Sequence, residues 1–286
     1  MFKKKEKEPA YYMSATQMKV SNYRVYKMSF WEQLVYSILV FGIGAVAGYL
    51  FYGGLATDEY GSPTTMTYIL NIVICVGVGV VALKLAMPVI TNSLKEKRQK
   101  NLKLQFRDML DSLATSLNSG KNVMDSFQSV AQDLQIQYDA DADILHELNV
   151  ILTGTYNNIP IESLIEDFGK RSEVEDIESF ANVFEICYRQ GGNLKDVINN
   201  THLILNEKME IEDEIRTMAA NNSLQQKIMI VIPVFLVAII KLMSPEFAAN
   251  FATPAGIIAT TIAIVLFVIA YFVGKKVLDI NNLSES

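Results

Sequence analysis

The pair Gly120-Lys121 is the nearest approach in this sequence to a phosphate-binding loop. Such a loop needs a glycine, four residues and then Gly-Lys-Ser/Thr, so that backbone amides and a lysine surround the phosphates while a hydroxyl holds magnesium. Here Thr115 stands where the first glycine belongs and Asn122 where the hydroxyl belongs, so no nucleotide site is expected. His146 and His202 fall on different helical stretches, with neither a paired cysteine nor an HExxH spacing, and are read as helix-surface histidines rather than zinc ligands. The two cysteines, Cys75 in an apolar run and Cys187 in an amphipathic one, build neither a disulfide framework nor a metal site, and Cys187 suits a reducing compartment. No GxSxG nucleophile turn occurs. The expectation is therefore no catalytic residue, no metal, no cofactor and no enzymatic activity. A formal charge of -6 also argues against a nucleic-acid partner, which would call for a basic face.

With no chemistry to position, the elements themselves become the subject. Half of the 286 residues are hydrophobic and mean hydropathy is +0.21, more apolar material than a water-facing surface accommodates. It is concentrated in four runs, 34–55, 66–83, 228–243 and 256–273, which lack the alternation of barrel strands and are read as membrane-spanning helices. About 30 mostly polar residues precede the first run, longer than the usual start of a signal peptide, so no cleaved leader is expected. Cations flank the runs on one side only: Lys3, Lys4, Lys5, Lys7, Lys19, Arg24 and Lys27 before the first, Lys95 to Arg107 after the second, Lys275 and Lys276 after the fourth. The loops 56–65 and 244–255 contain none, which predicts a multi-pass membrane protein with both termini cytoplasmic. The expected division is 1–33 cytoplasmic, 34–90 two spans, 91–227 a cytoplasmic helical domain, 228–273 two spans and 274–286 a cytoplasmic tail. Within the runs, Gly44 and Gly48 form a GxxxG suited to close helix packing. Lys84 and Lys241 lie near run ends, where a long side chain snorkels to water. Pro233 is expected to kink the third run, and Trp31, Tyr49 and Tyr52 suit the interfacial belts.

Between the second and third runs, apolar residues recur at spacings of three and four, and strand alternation is absent. The fold class is accordingly all-α: four transmembrane helices and a cytoplasmic bundle of about six helices. Leu102, Phe106, Leu110, Leu113 and Leu117 mark the first helix, ended by Gly120. Asn122 caps the second, which turns Val123, Phe127, Val130 and Leu134 inward. Ile144, Leu148 and Ile151 mark the third, and Pro160 suits the first turn of the fourth. Ile177, Phe180 and Phe184 mark the fifth, which ends at Gly191 and Gly192, and Asn193 opens the sixth. Asp125, Glu162 and Asp196 lie in first turns, where helix capping accounts for them fully. The basic cluster Lys95, Lys97, Arg98, Lys100, Lys103 and Arg107 is expected against anionic headgroups of the lipid bilayer. The acidic cluster Glu173, Glu175, Asp176 and Glu178 reads either as a solvated helix face or as a docking surface for a basic partner. The sequons at Asn199 and Asn221 fall on the cytoplasmic side of this topology, out of reach of glycosylation.

Three phrases in this order carry a resemblance: Phe106-Arg-Asp-Met-Leu-Asp-Ser-Leu-Ala-Thr-Ser-Leu-Asn-Ser-Gly120, Arg189-Gln-Gly-Gly-Asn-Leu-Lys-Asp-Val-Ile198, and Met243-Ser-Pro-Glu-Phe247 followed by Phe251-Ala-Thr-Pro254. Across roughly 105–280 the chain resembles the type II secretion system F-domain family, in its TadB-like branch from tight-adherence (Flp) pilus assembly, one group within type IV pilus systems. The Gly-Gly-Asn-Leu turn at 191–194 is the most specific match, and Ser244 departs mildly, standing where asparagine is common before Pro245-Glu246. The resemblance implies an oligomeric, non-enzymatic inner-membrane platform for protein secretion or fibre assembly. It would couple a cytoplasmic secretion ATPase to extraction of pilin subunits, beside a companion TadC-like F-domain protein. Read without the resemblance, the residues leave open a small membrane transporter or channel, motivated by Lys84, Lys241 and Pro233, or a membrane-anchored signalling adaptor.

Overall fold

The computed structural model describes residues 9–13, 18–55 and 64–284, with side chains except at 216, 218–223, 226–227, 245–246 and 275–284. The expectations that rest on Lys3, Lys4, Lys5 and Lys7, on most of the 56–65 loop, and on the side chains of Asn221, Lys275 and Lys276 lie outside this description. In chain order the elements are β1 (Tyr11–Met13), β2 (Lys19–Ser21), α1 (Phe30–Tyr52), α2 (Thr65–Asn118), α3 (Val123–Gln137), α4 (Asp143–Tyr156), α5 (Ile161–Ser172), α6 (Glu175–Gln190), α7 (Leu194–Met243), α8 (Pro245–Phe251) and α9 (Pro254–Ser284). The chain is therefore overwhelmingly helical. Among the described residues the one departure is a small antiparallel pair, Tyr11 opposite Ser21 and Met13 opposite Lys19, which the absence of strand alternation did not foresee.

Two compact units share these elements: Met1–Met28 with Ile90–Glu210, and Ser29–Val89 with Ile211–Ser286. The boundaries fall inside α2 and inside α7, so the stretch 211–227, expected with the bundle, groups with the apolar unit instead. The residues before α1, expected as a separate segment, group with the bundle.

In the bundle unit, the later part of α2, helices α3 to α6 and the start of α7 enclose one core. Leu102, Phe106, Leu110 and Leu113 of α2 are fully buried, as their i, i+3/i+4 spacing requires of a single inward stripe. Phe106 meets Phe168 and Phe180 edge-on, with ring centroids 6.3 and 5.4 Å apart, and Phe127 meets Phe184 at 6.4 Å. Such pairs contribute about 0.5–1.5 kcal/mol each beyond the area they bury. Gly169 of α5 allows the closest approach to α6, because a Cβ there would stand 2.9 Å from the Ala181 Cβ.

In the apolar unit, α1 (Phe30–Tyr52), α2 (Thr65–Asn118) through its apolar part, and Pro254–Gly274 of α9 are each long and apolar enough to cross a membrane. The fourth run, Ile228–Met243 within α7, is apolar but shorter. Ile43, Val46, Ile72, Leu85 and Leu266 all stand exposed, so these helices present apolar side chains outward as well as inward. That pattern belongs to a membrane-embedded protein, since water tolerates no such continuous apolar surface. Gly44 and Gly48 do let helices approach: a Cβ on Gly44 would lie 2.8 Å from the Ala82 Cβ, and one on Gly48 would lie 3.1 Å from the Val78 Cβ.

Candidate functional site

The turns singled out by sequence are built as caps. The Asn122 side chain accepts from the Asp125 amide at 2.8 Å and donates to its carboxylate at 2.7 Å, so α3 starts where its first orphan amides find partners. Gly120 lies at φ +90° and Gly191 at φ +68°, conformations that L side chains rarely adopt. The Gly192 amide then closes α6 on the Cys187 carbonyl at 2.9 Å, and the Asn193 amide group donates to Asp196 at 2.5 Å at the opening of α7. Pro160 differs from expectation by one position: it is the N-cap of α5, with ψ 129°, rather than part of the first turn. Lys121, of the near-match to a phosphate loop, donates to Ser129 of α3 at 2.7 Å.

The acidic and basic clusters meet each other. Lys95 pairs with Glu173 at 2.5 Å, and Asp176 is held between Lys103 at 3.0 Å and Lys208 at 2.8 Å. Arg98 makes a two-pronged contact with Asp143, its Nε 2.9 Å and its Nη2 2.5 Å from the carboxylate. Burial alone would raise the pKa of Glu173 and of Asp176. Hydrogen bonds from Lys95 and Gln99 in one case, and from Lys208 and Lys103 in the other, bring both below the ordinary value instead. The four-carboxylate docking surface is thus divided: Glu173 and Asp176 are consumed within the bundle, and Glu175 and Glu178 stay exposed. Lys95, Arg98 and Lys103 are likewise committed to protein carboxylates, where sequence placed them against headgroups.

A polar network in the core joins the N-terminal segment to α4 and α5, and sequence reasoning missed it. Arg171 of α5 donates to both oxygens of Glu147 of α4, at 2.8 and 2.7 Å, and to the Ser21 carbonyl at 2.9 Å. The Tyr23 hydroxyl donates to the same carboxylate at 2.9 Å, and the Tyr23 amide donates to the Arg171 carbonyl at 3.1 Å. Burial, then the Glu147 charge, pushes the Tyr23 phenol well above its ordinary pKa. For Arg171, burial works to lower the value, and Glu147 and Asp167 together overcome it and raise it. The Arg98 guanidinium covers the Tyr23 ring, 4.7 Å from its centroid. A lone Tyr between Asn22 and Arg24 carries no periodic signal, and the carboxylate that its hydroxyl reaches, Glu147, lies 124 residues on.

The histidines divide. His146 contacts the Lys19 carbonyl at 3.0 Å, on the surface as expected. His202 does not stay there: its Nε2 meets Asn206 at 2.9 Å, and its Nδ1 is buried with no partner. No group of three or more His, Cys, Asp and Glu side chains is placed to hold a metal among the described residues. Lys84 is exposed, whereas Lys241 does not snorkel free, because its ammonium donates to the Leu50 carbonyl at 2.7 Å and lies 4.8 Å over the Phe251 ring. Leu50 is within the last turn of α1, whose end carbonyls have no helical partner and attract a cation.

Buried charge pairs fix helices of the bundle to one another and fix the N-terminal segment to them. No protein-family model, no curated protein and no solved structure matches the chain.

Proposed function

We propose that the chain is a four-span inner-membrane platform of the TadB-like F-domain type, with both termini and the helical bundle in the cytoplasm. It couples a cytoplasmic secretion ATPase to the extraction and assembly of pilin subunits and works in an oligomer with a TadC-like companion. Three sequence phrases support the family reading, at 106–120, 189–198 and 243–254. The observation that carries the coupling is that α2 (Thr65–Asn118) and α7 (Leu194–Met243) each contain an apolar stretch and bundle-core residues within one helix. No loop interrupts either helix between the two stretches, and each carries one proline, Pro88 in α2 and Pro233 in α7, where the hydrogen-bond ladder loses a donor. In the fourth span, the Lys241 ammonium binds the Leu50 carbonyl near the end of α1. That bond also commits one of the two charges on which a transporter or channel would depend.

Deletion of the gene should abolish surface fibres, and the affinity-tagged chain should copurify with a hexameric ATPase and a second F-domain protein. Normal fibres in the deletion strain would refute the proposal. Conductance in liposomes, lost on replacing Lys84 or Lys241, would favour the channel.

A further inference from the structure

Helices α6 and α7 are joined by the tight turn at 191–193 and run back along each other, as the Asp176–Lys208 pair shows. On their solvent side a cleft of about 210 Å³ remains, with Phe180 and Leu205 as its floor and Ser179, Val183, Thr201 and Ile204 as its walls. Val183 is 44% exposed and Ile204 65%. These residues are surplus to the core, which α6 and α7 already supply with Ile177, Phe180, Phe184, Ile198, Leu205 and Met209. A contiguous apolar patch on an otherwise polar helical pair marks a contact surface.

Charge selects the occupant. Glu175 lies one turn before Ser179 and two before Val183, and Glu207 follows Ile204 by one turn. Glu175, Glu207 and Glu210 are exposed and form no ion pair among the described residues, whereas Asp176 is paired with both Lys103 and Lys208. A second copy of this chain would bring acidic rim against acidic rim, and an anionic lipid surface would be repelled. The geometry points to a helix-binding cleft on α6 and α7 that takes a basic amphipathic helix of another protein. Its apolar side chains, spaced i, i+3/i+4, i+7, enter between Val183 and Ile204, and its lysines or arginines face Glu175 and Glu207. This assignment does not depend on which machine the chain serves.

The test uses the full chain in nanodiscs of zwitterionic lipid and a fluorescent peptide of about 14 residues, four helical turns, with leucine on one face and lysine on the other. A twin peptide carries glutamate for lysine. The lysine peptide should bind, and the glutamate twin should not. Val183→Asp or Ile204→Asp should weaken binding about tenfold or more, since each places a charge where an apolar anchor sits. The Glu175→Gln/Glu207→Gln pair leaves the fold and the apolar cleft intact, and should weaken binding and flatten its salt dependence. Binding no stronger than to empty nanodiscs, equal binding of the twin, or binding unchanged by Ile204→Asp would each overturn the proposal. So would wild-type dimers that Ile204→Asp converts to monomers in sedimentation velocity, because the face would then cover a second copy.

Discussion

Replacing Glu147 with alanine should loosen the bundle around α4 and α5 more than any other single change to its polar groups. The carboxylate is 1% exposed and receives two hydrogen bonds from Arg171 and one from Tyr23. Its removal leaves a guanidinium that is 5% exposed and a buried phenol without their acceptor. Breaking a buried pair by deleting one partner costs about 3–5 kcal/mol, mostly the penalty of the charge left behind. Arg171 keeps Asp167 at 2.6 Å, but that carboxylate is half exposed and compensates only in part, so the low end of the range applies. A loss of about 3 kcal/mol corresponds to roughly a hundredfold increase in the population of open forms. Hydrogen exchange of the full chain in nanodiscs should therefore accelerate by about two orders of magnitude at the Tyr23 amide and along α4 and α5. The double variant Glu147→Leu/Arg171→Met, which removes both charges and keeps the volume, should recover most of the loss. Acceleration below about threefold in Glu147→Ala would refute the claim that this network holds the N-terminal segment and the two helices together.

Gly44→Val should separate α1 from α2, because even a Cβ there would stand 2.8 Å from the Ala82 Cβ, whereas a Cβ on Gly42 meets nothing within 4 Å and Gly42→Val should be near neutral. Cysteine cross-linking between 48 and 78, lost in the first variant and kept in the second, checks this. Asn122→Ala should cost about 1 kcal/mol through the lost cap on α3, read as faster exchange in its first turn. Glu173 and Asp176 have folded pKa values below their ordinary 4.5 and 3.8, so they favour the folded state wherever both are ionised. Their contribution is complete above those ordinary values and disappears as pH falls through the depressed ones. An acid titration of bundle stability should show that loss, and Lys103→Met should shrink it; an unchanged profile would detach the ion pairs from stability.

How far sequence reached depended on whether a signal was local. The periodicity of Leu102, Phe106, Leu110 and Leu113 locates a helix because every partner in the pattern lies within one turn of the next. The same holds for the caps at Asn122 and Gly191, where residue type and backbone need coincide in three or four positions. The charge clusters were visible as composition, but their meaning was not: Lys103 and Asp176 lie 73 positions apart, and nothing local distinguishes a lysine aimed at a headgroup from one aimed at a carboxylate. Tyr23 and Arg171 were missed for the same reason. Glu173 shows the consequence at its sharpest. It adopts φ 53°, unusual for a residue with a Cβ, and its carboxylate is held there by Lys95 and by Gln99. A long-range pair thus favours a local conformation that sequence alone would give to glycine or asparagine. Glu173→Gly should accordingly lose the ion pair yet relieve the backbone, and stability should fall by less than in Lys95→Met, which removes the pair and leaves the conformation to be held. A larger loss in Glu173→Gly would mean that the backbone at this corner carries no strain for glycine to relieve.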